Sequence, residues 1–228
     1  NNTACVRASL SNNTTADKNT GIGYQALYTN QTGTQNVAVG AFALDANTTA
    51  SNNTAIGYAS LTNNTTGTQN TAIGKGTLES NTTANDNTAV GNDALSDNTT
   101  GTENTALGQA SLFKNTTGGQ NTAIGVDALR NSTTGGSNVA VGAAALDANT
   151  TGAHNTGLGK DALVSNTTGS NNTGIGHKSL GGLNAASLTG SNNTATGYQA
   201  LYRNTTGYSN VSIGCLLYTS DAADEPSS

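Results

Sequence analysis

The sequence predicts an all-β fold, a parallel β-solenoid of 17-residue coils. Three observations support it: a repeat of fixed length, β-branched residues that alternate with small ones inside the repeat, and a composition too poor in large apolar groups for a thick core. The glycine of a recurring Asn-Thr-Ala-Ile-Gly segment returns at nine consecutive spacings of 17 residues, from Gly23 to Gly176. One spacing of 21 leads to Gly197, and 17 again leads to Gly214. Such fixed periods are typical of stacked repeats.

The composition sets the limits of the fold. Thr, Asn and Gly contribute 40, 33 and 29 of 228 residues, while 33% are hydrophobic and 9% charged. Ordinary globular domains are roughly 45–50% apolar and about 25% charged, so a thick globular core is excluded. The apolar runs are far shorter than the roughly 18 residues of a membrane span, which predicts no membrane insertion. A net charge of −5 argues against nucleic-acid binding, which needs clustered Lys and Arg.

Each unit reads Asn-Thr-Ala-Ile-Gly-x-x-Ala-Leu-x-x-Asn-Thr-Thr-Gly-x-x, and its positions define seventeen columns that recur along the chain. The first four columns predict a strand, because β-branched residues alternate with small ones there. Glycine in the fifth column predicts a bend, and x-x-Ala-Leu predicts a second extended run. Asn-Thr-Thr-Gly predicts the closing turn, since Asn and Gly tolerate positive φ. Helix is disfavoured because Asn, Thr and Gly are weak helix formers.

The repeat region spans residues 1–214 as one domain, with a four-residue insertion within 181–188. A degenerate first unit carries Val6 in the glycine column and Leu10 in the leucine column. Residues 215–228 depart from the pattern, and the string from Cys215 to Glu225 resembles the translation of a transposase adaptor used to prepare sequencing libraries. We interpret this tail as non-native read-through, which leaves Cys5 without a predicted disulfide partner. We expect the chain to be a fragment of a longer protein.

The columns differ in the variation that they accept. Asn fills the first column of every glycine-anchored unit, and Thr in the second column is replaced only by Val37, Val139 and Val211. The two columns after the glycine vary widely, which predicts that they face solvent. Asn stacked on Asn predicts amide hydrogen bonds along the axis. We expect Ile and Leu to fill the interior, and the opposite face of Ala and Gly to pack against identical chains.

Repeats of Asn-Thr/Val-Ala-Ile/Val-Gly followed by x-x-Ala resemble the head repeats of YadA-like trimeric autotransporter adhesins (Hep/Hag-type). Units such as Asn-Thr-Ala-Ile-Gly-Tyr and Tyr-Gln-Ala-Leu-Tyr are also similar to repeats of bacteriophage tail fibres. The resemblance covers about residues 2–214 and implies a left-handed parallel β-roll that assembles as a homotrimer. The commoner adhesin repeat is a few residues shorter, so the Asn-Thr-Thr-Gly return is a departure from that family.

The resemblance implies a structural and adhesive role in an extracellular trimeric fibre, either a bacterial surface adhesin head or a phage tail-fibre shaft. The chain is then expected at a bacterial cell surface or on a virion, with copies of itself as its first partners. A host surface receptor, a matrix protein or a glycan is the external partner, bound weakly at many repeats. The receptor and the choice between adhesin and phage fibre stay open.

The sequence predicts no enzyme, no cofactor and no metal site. The two histidines, His154 and His177, lie in variable columns without a Cys or carboxylate at a fixed offset. Asp93, Asp127 and Asp161 share a column in steps of 34 residues, which a solenoid places roughly 9–10 Å apart. They lack a calcium-binding repeat signature. A solenoid polysaccharide lyase or hydrolase would need paired acids or bases in one cleft, and none is visible.

An ice-binding β-solenoid is the alternative from a different class of function. A regular threonine column runs through Thr54, Thr71, Thr88, Thr105 and Thr122. The valines that interrupt the same column elsewhere fit a half-buried position better than an exposed ice-binding face. Oligomeric state and thermal hysteresis would distinguish this alternative from the fibre.

Two further patterns leave a binding or modification site unassigned. Asn-Thr-Thr spells an N-glycosylation acceptor at Asn47, Asn64 and Asn98 among others, but a turn motif explains it better for a bacterial or viral chain. Aromatic residues cluster in variable columns near the two ends: Tyr24, Tyr28, Phe42 and Tyr58, then Tyr198, Tyr202 and Tyr208. Exposed aromatics are common binding anchors, and lone surface apolar residues are ordinary.

Overall fold

The computed structural model describes residues 1–182 and 187–216, and it confirms the predicted all-β solenoid. Every coil contributes one three-residue strand to a single parallel sheet. The strands are β1 (Thr3–Cys5), β2 (Thr20–Ile22), β3 (Val37–Val39), β4 (Thr54–Ile56), β5 (Thr71–Ile73), β6 (Thr88–Val90), β7 (Thr105–Leu107), β8 (Thr122–Ile124), β9 (Val139–Val141), β10 (Thr156–Leu158), β11 (Thr173–Ile175), β12 (Thr194–Thr196) and β13 (Val211–Ile213). Their order in the sheet follows the chain, and the described residues contain no helix.

Equivalent residues of successive coils pair directly with one another. Thr54 pairs with Thr71, and the other two residues of β4 pair with their equivalents in β5. Thr173 pairs with Thr194 across the longer spacing, so the insertion leaves the register of the sheet unchanged. The predicted stacking of columns is therefore confirmed.

The insertion and the tail are described only in part. Residues 183–186 of the insertion and 217–228 of the tail lie outside the described residues. Leu188, which ends the insertion, forms a parallel bridge with Asn166 and is fully buried. Cys215 and Leu216 are exposed, and the backbone N–H of Leu216 donates to the carbonyl oxygen of Tyr198 at 2.9 Å.

The third-column residues of the strands face the interior and the fourth-column residues face outward, which is the reverse of the expected arrangement. Ala55 in the third column is fully buried, whereas Ile56 in the fourth column is 38% exposed. The prediction that Ile fills the interior and that an Ala and Gly face joins chains is wrong. The reason is the narrow interior: a Cβ added at Gly21 would lie 3.3 Å from Cγ of Leu10 in the preceding coil. Because the leucine column already fills that space at close packing, only a small residue fits opposite it. The third column is Ala or Gly in β1 to β12 and Ser212 in β13.

The columns after the glycine form a turn instead of the predicted second extended run. Ala110 and Leu112 have φ values of 53° and 52°, and their columns have positive φ in every described coil. The twelfth-column Asn and the fifteenth-column Gly, which were expected to carry positive φ, do not. In the return segment the seventeenth column has positive φ instead, as at Asn52 (63°) and Gln69 (60°). A bulky residue in this region costs about 1–3 kcal/mol. Complete burial of each leucine side chain, worth about 1.5–3 kcal/mol, offsets that cost.

The fifth-column glycine is required by both conformation and space. Gly57 has a φ of 138°, and a Cβ there would lie 2.3 Å from the carbonyl oxygen of Gly74 in the next coil. No side chain fits that approach, because real Cβ contacts stay longer than about 3 Å. The corner therefore needs glycine in the coils from Gly23 onward, whereas Val6 takes a φ of 89° at the same corner of the degenerate first coil.

Buried asparagines of the first column hold each coil to the next. The backbone N–H of Asn53 donates to Oδ1 of Asn36 at 2.9 Å, and Nδ2 of Asn53 donates to the carbonyl oxygen of Gly67 at 2.8 Å. Both bonds recur in the coils from Asn19 to Asn193. This arrangement confirms the predicted amide ladder.

A second ladder runs through the twelfth-column asparagines of the return segment. Nδ2 of Asn47 donates to Oδ1 of Asn30 at 2.8 Å, and equivalent bonds continue to Asn115. Ser132 interrupts the ladder in the next coil. As a result, Oδ1 of Asn115 and Oγ of Ser132 are buried without a hydrogen-bond partner.

Replacing Leu112 by Asp is expected to unfold the neighbouring coils. The change puts a carboxylate into a fully buried column and should cost about 3–5 kcal/mol. Gln109→Asp, at an exposed position of the same coil, should leave thermal unfolding followed by circular dichroism almost unchanged. Equal melting temperatures for the two variants would contradict the inside and outside assignment.

Replacing Ser132 by Asn is expected to raise stability by about 1–2 kcal/mol, since it supplies the missing donor to Asn115. Thr134→Asn adds an amide at an exposed position of the same return segment and should give no gain. Denaturant unfolding of both variants measures the difference. A loss of stability in Ser132→Asn would show that the ladder cannot close through this coil.

Candidate functional surfaces

The residues considered for catalysis or metal binding are mostly kept apart. His154 is exposed in a return segment. His177 Nε2 lies 3.6 Å from Asp161 Oδ2, so the structure brings this one pair together. Asp93 and Asp127 remain in their separate coils, and no group of three or more His, Cys, Asp or Glu side chains gathers among the described residues.

Three carboxyl groups of the turn columns are perturbed by their surroundings. Burial raises the pKa of Asp45, Asp97 and Asp147 from the ordinary value of an aspartate carboxyl. The Lys114 ammonium opposes this rise in the pKa of Asp97, whereas the Asp127 carboxylate adds to it at Asp147. Asp97 lies three coils from Asp45 and three coils from Asp147, roughly 14 Å in each case. No two of these carboxyl groups therefore share a site, and burial is the largest cause of each pKa shift.

The outward residues of the strands form a flat surface, which we call the strand face: the second- and fourth-column residues of β2 to β12. The fourth column reads Ile22, Val39, Ile56, Ile73, Val90, Leu107, Ile124, Val141, Leu158, Ile175 and Thr196. All five isoleucines are more than a third exposed. The face contains no charged residue and runs for roughly 50 Å at the strand spacing.

A second regular surface follows the fourteenth column, which we call the return threonine column. It consists of Thr15, Thr32, Thr49, Thr66, Thr83, Thr100, Thr117, Thr134, Thr151, Thr168, Thr189 and Thr206. Every member is exposed, and no hydroxyl of this column takes part in a hydrogen bond within the described chain. The preceding column changes to Gln31 and Leu188 in two coils, but Thr32 and Thr189 are kept.

This column was missed in the sequence, where only the strand threonines were considered for ice binding. The column could have been found from its constancy, because Thr stands there in all twelve units. Packing does not explain that constancy, since the residues are exposed. The strand threonines differ: they are mostly half-buried and Val replaces them in three coils.

The aromatic residues of the variable columns contact one another near each end of the solenoid. The ring of Phe42 lies edge-on to those of Tyr24 and Tyr58, at centroid distances of 5.5 and 5.8 Å. Near the other end, His177 and Tyr198 lie 5.5 Å apart with their planes tilted by 33°. The first predicted cluster therefore contains ring contacts, whereas in the second Tyr198 contacts His177, which was not predicted to belong to it.

The acceptor asparagines of the Asn-Thr-Thr segments are not available for glycosylation in the folded chain. Asn47, Asn64 and Asn98 are fully buried. The Nδ2 of each donates to the preceding ladder asparagine and to a carbonyl oxygen of its own turn. This favours the turn interpretation of the motif.

The class that this geometry defines is a parallel β-solenoid whose flat surfaces repeat with every coil. No protein-family model, curated protein or solved structure matches the chain. Among the described residues there is no helix of the length and apolarity needed to cross a membrane. Function must therefore be argued from the surfaces themselves.

Proposed function

We propose that this chain is a non-catalytic, structural and adhesive segment of an extracellular trimeric fibre. The observation that carries the proposal is the strand face, an uncharged surface of stacked and mostly β-branched residues on the outside of β2 to β12. Monomeric proteins rarely leave a long contiguous apolar surface in contact with water. Covering it with identical chains is the simplest arrangement, because each copy presents the same coil spacing.

The energetics favour association through many coils at once. Full burial of an Ile or Val side chain is worth about 1.5–3 kcal/mol, so covering the exposed third is worth about 0.5–1 kcal/mol per coil. Eleven strands then supply about 5–11 kcal/mol per chain, against an association cost of about 4–15 kcal/mol. A short array stays monomeric on these terms, whereas a long array can assemble.

The resemblance to YadA-like adhesin heads and phage tail fibres agrees with this arrangement. In such a fibre the coils act as a rigid spacer at a bacterial cell surface or on a virion. Weak contacts with a host receptor, a matrix protein or a glycan gain strength by being repeated along the fibre.

Ice binding is the second candidate function. The return threonine column suits this function better than the strand threonines, because its residues are all exposed whereas the strand threonines are mostly half-buried. Neighbouring hydroxyls in the column are about 4.8 Å apart, too far for a direct O–H···O bond of about 2.7–2.8 Å. One water bonded to both hydroxyls spans that distance with an angle of about 120°. The column can therefore align a row of waters, and the adjoining sixteenth column is uncharged from Thr34 to Ser191.

The trimer predicts a specific effect of charge on the strand face. The native chain should sediment as an elongated trimer, and Ile56→Lys combined with Ile73→Lys should reduce it to monomers of unchanged β content. The control pair Asn92→Lys and Gln109→Lys lies in an exposed column that already contains lysine and should stay trimeric. A native chain that stays monomeric at high concentration would contradict the fibre proposal.

Ice binding predicts incorporation of the native chain into slowly growing ice, with measurable thermal hysteresis. Thr100→Tyr combined with Thr117→Tyr should lower the incorporated fraction severalfold, because the rings interrupt the row of hydroxyls. The control, Asn92→Tyr with Gln109→Tyr, places tyrosines in a column of the same coils that holds Tyr elsewhere. Exclusion of the native protein from ice would remove this candidate.

A further inference from the structure

We propose that the interruption of the second asparagine ladder at Ser132 is a binding site for one internal water molecule, held between Asn115 and Asn149. The ladder runs through the twelfth column, and Ser132 is the residue of that column between these two asparagines. All three side chains are fully buried. The polar groups around the interruption therefore have no access to bulk solvent.

An intact coil shows which bonds the replaced asparagine would have made. Nδ2 of Asn98 donates to Oδ1 of Asn81 at 3.0 Å and to the carbonyl oxygen of Gly101, in its own turn, at 3.0 Å. The amide nitrogen thus gives its two hydrogens to two acceptors, one in the preceding coil and one in its own. This pair of bonds repeats at each ladder asparagine from Asn47 to Asn115.

Serine at this position leaves the corresponding acceptors short of donors. Oδ1 of Asn115 and Oγ of Ser132 are buried without a hydrogen-bond partner among the described residues. The carbonyl oxygen of Gly135, the acceptor within the turn of Ser132, receives one side-chain bond, from Nδ2 of Asn121 at 2.9 Å. The second side-chain donor that this carbonyl would receive from a ladder asparagine is missing.

The asparagine on the other side of the interruption has a donor to spare. Nδ2 of Asn149 donates to the carbonyl oxygen of Gly152 at 3.0 Å, which uses one of its two hydrogens. A Cβ built on Gly118 would lie 2.3 Å from the carbonyl oxygen of Gly135 and 2.5 Å from Oδ1 of Asn115. These two oxygens are close enough for one water to bond both, since each such bond is about 2.7–2.8 Å long.

A water molecule has the donors and acceptors that this set of groups requires. Its two hydrogens match Oδ1 of Asn115 and the carbonyl oxygen of Gly135, so it replaces the missing amide nitrogen. Its oxygen can accept the hydroxyl of Ser132 and the unused N–H of Asn149. Buried waters typically make about three hydrogen bonds. A bare cation fits less well, because it cannot accept the N–H of Asn149.

The room at the interruption also matches one water molecule. A Cβ built on Gly101 would lie 2.6 Å from the ladder oxygen of its own coil, Oδ1 of Asn98. At Gly135 the same point is at least 3.3 Å from Oγ of Ser132. Exchanging an amide group for a hydroxyl frees roughly the volume of one water, about 30 Å³ in the liquid.

The other buried oxygens without a partner do not form such a set. Among the described residues these are Oδ1 of Asp45, in the coil of β3, and Oγ of Ser212, in β13. Each is the single atom of this kind in its coil. At Ser132, by contrast, two unpartnered oxygens and a spare N–H belong to three successive residues of one column.

A crystal structure of the full chain at about 1.5 Å resolution tests the proposal, together with water-to-protein ROEs at the side-chain N–H of Asn149 in solution. We expect a water at about 2.7–3.2 Å from both Oδ1 of Asn115 and the carbonyl oxygen of Gly135. A site without water would overturn the proposal, and so would a direct bond from Oγ of Ser132 to Asn115. The result does not depend on the fibre, because the site lies inside one chain.

Three variants separate the water from other effects. Ser132→Asn should expel it, because its own amide nitrogen makes the two bonds and an ordered water is released. Ser132→Val fills the site with methyl groups and should lower the melting temperature, since Asn115 stays unpaired.

Asn98→Ser is the matched control, because it makes the same interruption two coils away. It should bring a new water to Oδ1 of Asn81 and the carbonyl oxygen of Gly101. A water kept in Ser132→Asn, or no new water in Asn98→Ser, would show that the interruption does not define the site.

Discussion

The register imposed by the first-column asparagines is the constraint on which the rest of the structure depends. A buried amide is costly unless each of its polar atoms is paired. Here Oδ1 of Asn36 accepts the backbone N–H of Asn53, so every coil completes the hydrogen bonding of the one before it. Losing one amide leaves a backbone group of the next coil unpaired as well. This coupling explains why the column stays Asn while the threonine beside it tolerates Val.

The narrow interior then decides which residues reach the surface. Leucine in a left-handed conformation enters from the turn and fills the space between the walls, as Leu112 does. The strand can contribute only small residues to that interior, and its larger apolar residues are forced outward. A chain poor in apolar residues therefore places a substantial share of them in contact with solvent. The surplus apolar surface follows directly from the geometry of the coil.

Much of the fold was predictable because stacking converts sequence periodicity into spatial columns. The period, the strand in the first columns, the parallel register and the amide ladder all follow from the repeat. The direction of the strand faces does not, since alternation identifies two sets of residues without saying which set is inside. That choice depends on the space left by Leu10 and its equivalents, a property of the folded coil. The left-handed leucines were unpredictable for a related reason, because burial overrides their local preference.

The candidate sites were less accessible to sequence reasoning, because they depend on which variable residues become neighbours. Tyr24 and Tyr58 are 34 residues apart, which is two repeat units, so their shared column was visible in the sequence. The contacts of both rings with Phe42 emerge only in the folded chain. The return threonine column shows the opposite case, since its constancy was visible in the sequence but its free hydroxyls were not.

Symmetry separates the roles that these surfaces can take. A surface that repeats along the coils, such as the strand face, complements a partner whose own surface repeats at the same distance. A second copy of the chain or a crystalline lattice has such a surface. A feature that occurs once, such as the contact of Phe42 with Tyr24 and Tyr58, has no matching repeat along the chain. Because the two kinds of surface lie in different columns, substitution of one leaves the hydrogen bonds of the other intact. Substitutions in the variable columns can therefore change one surface of a solenoid without disturbing the surfaces that repeat.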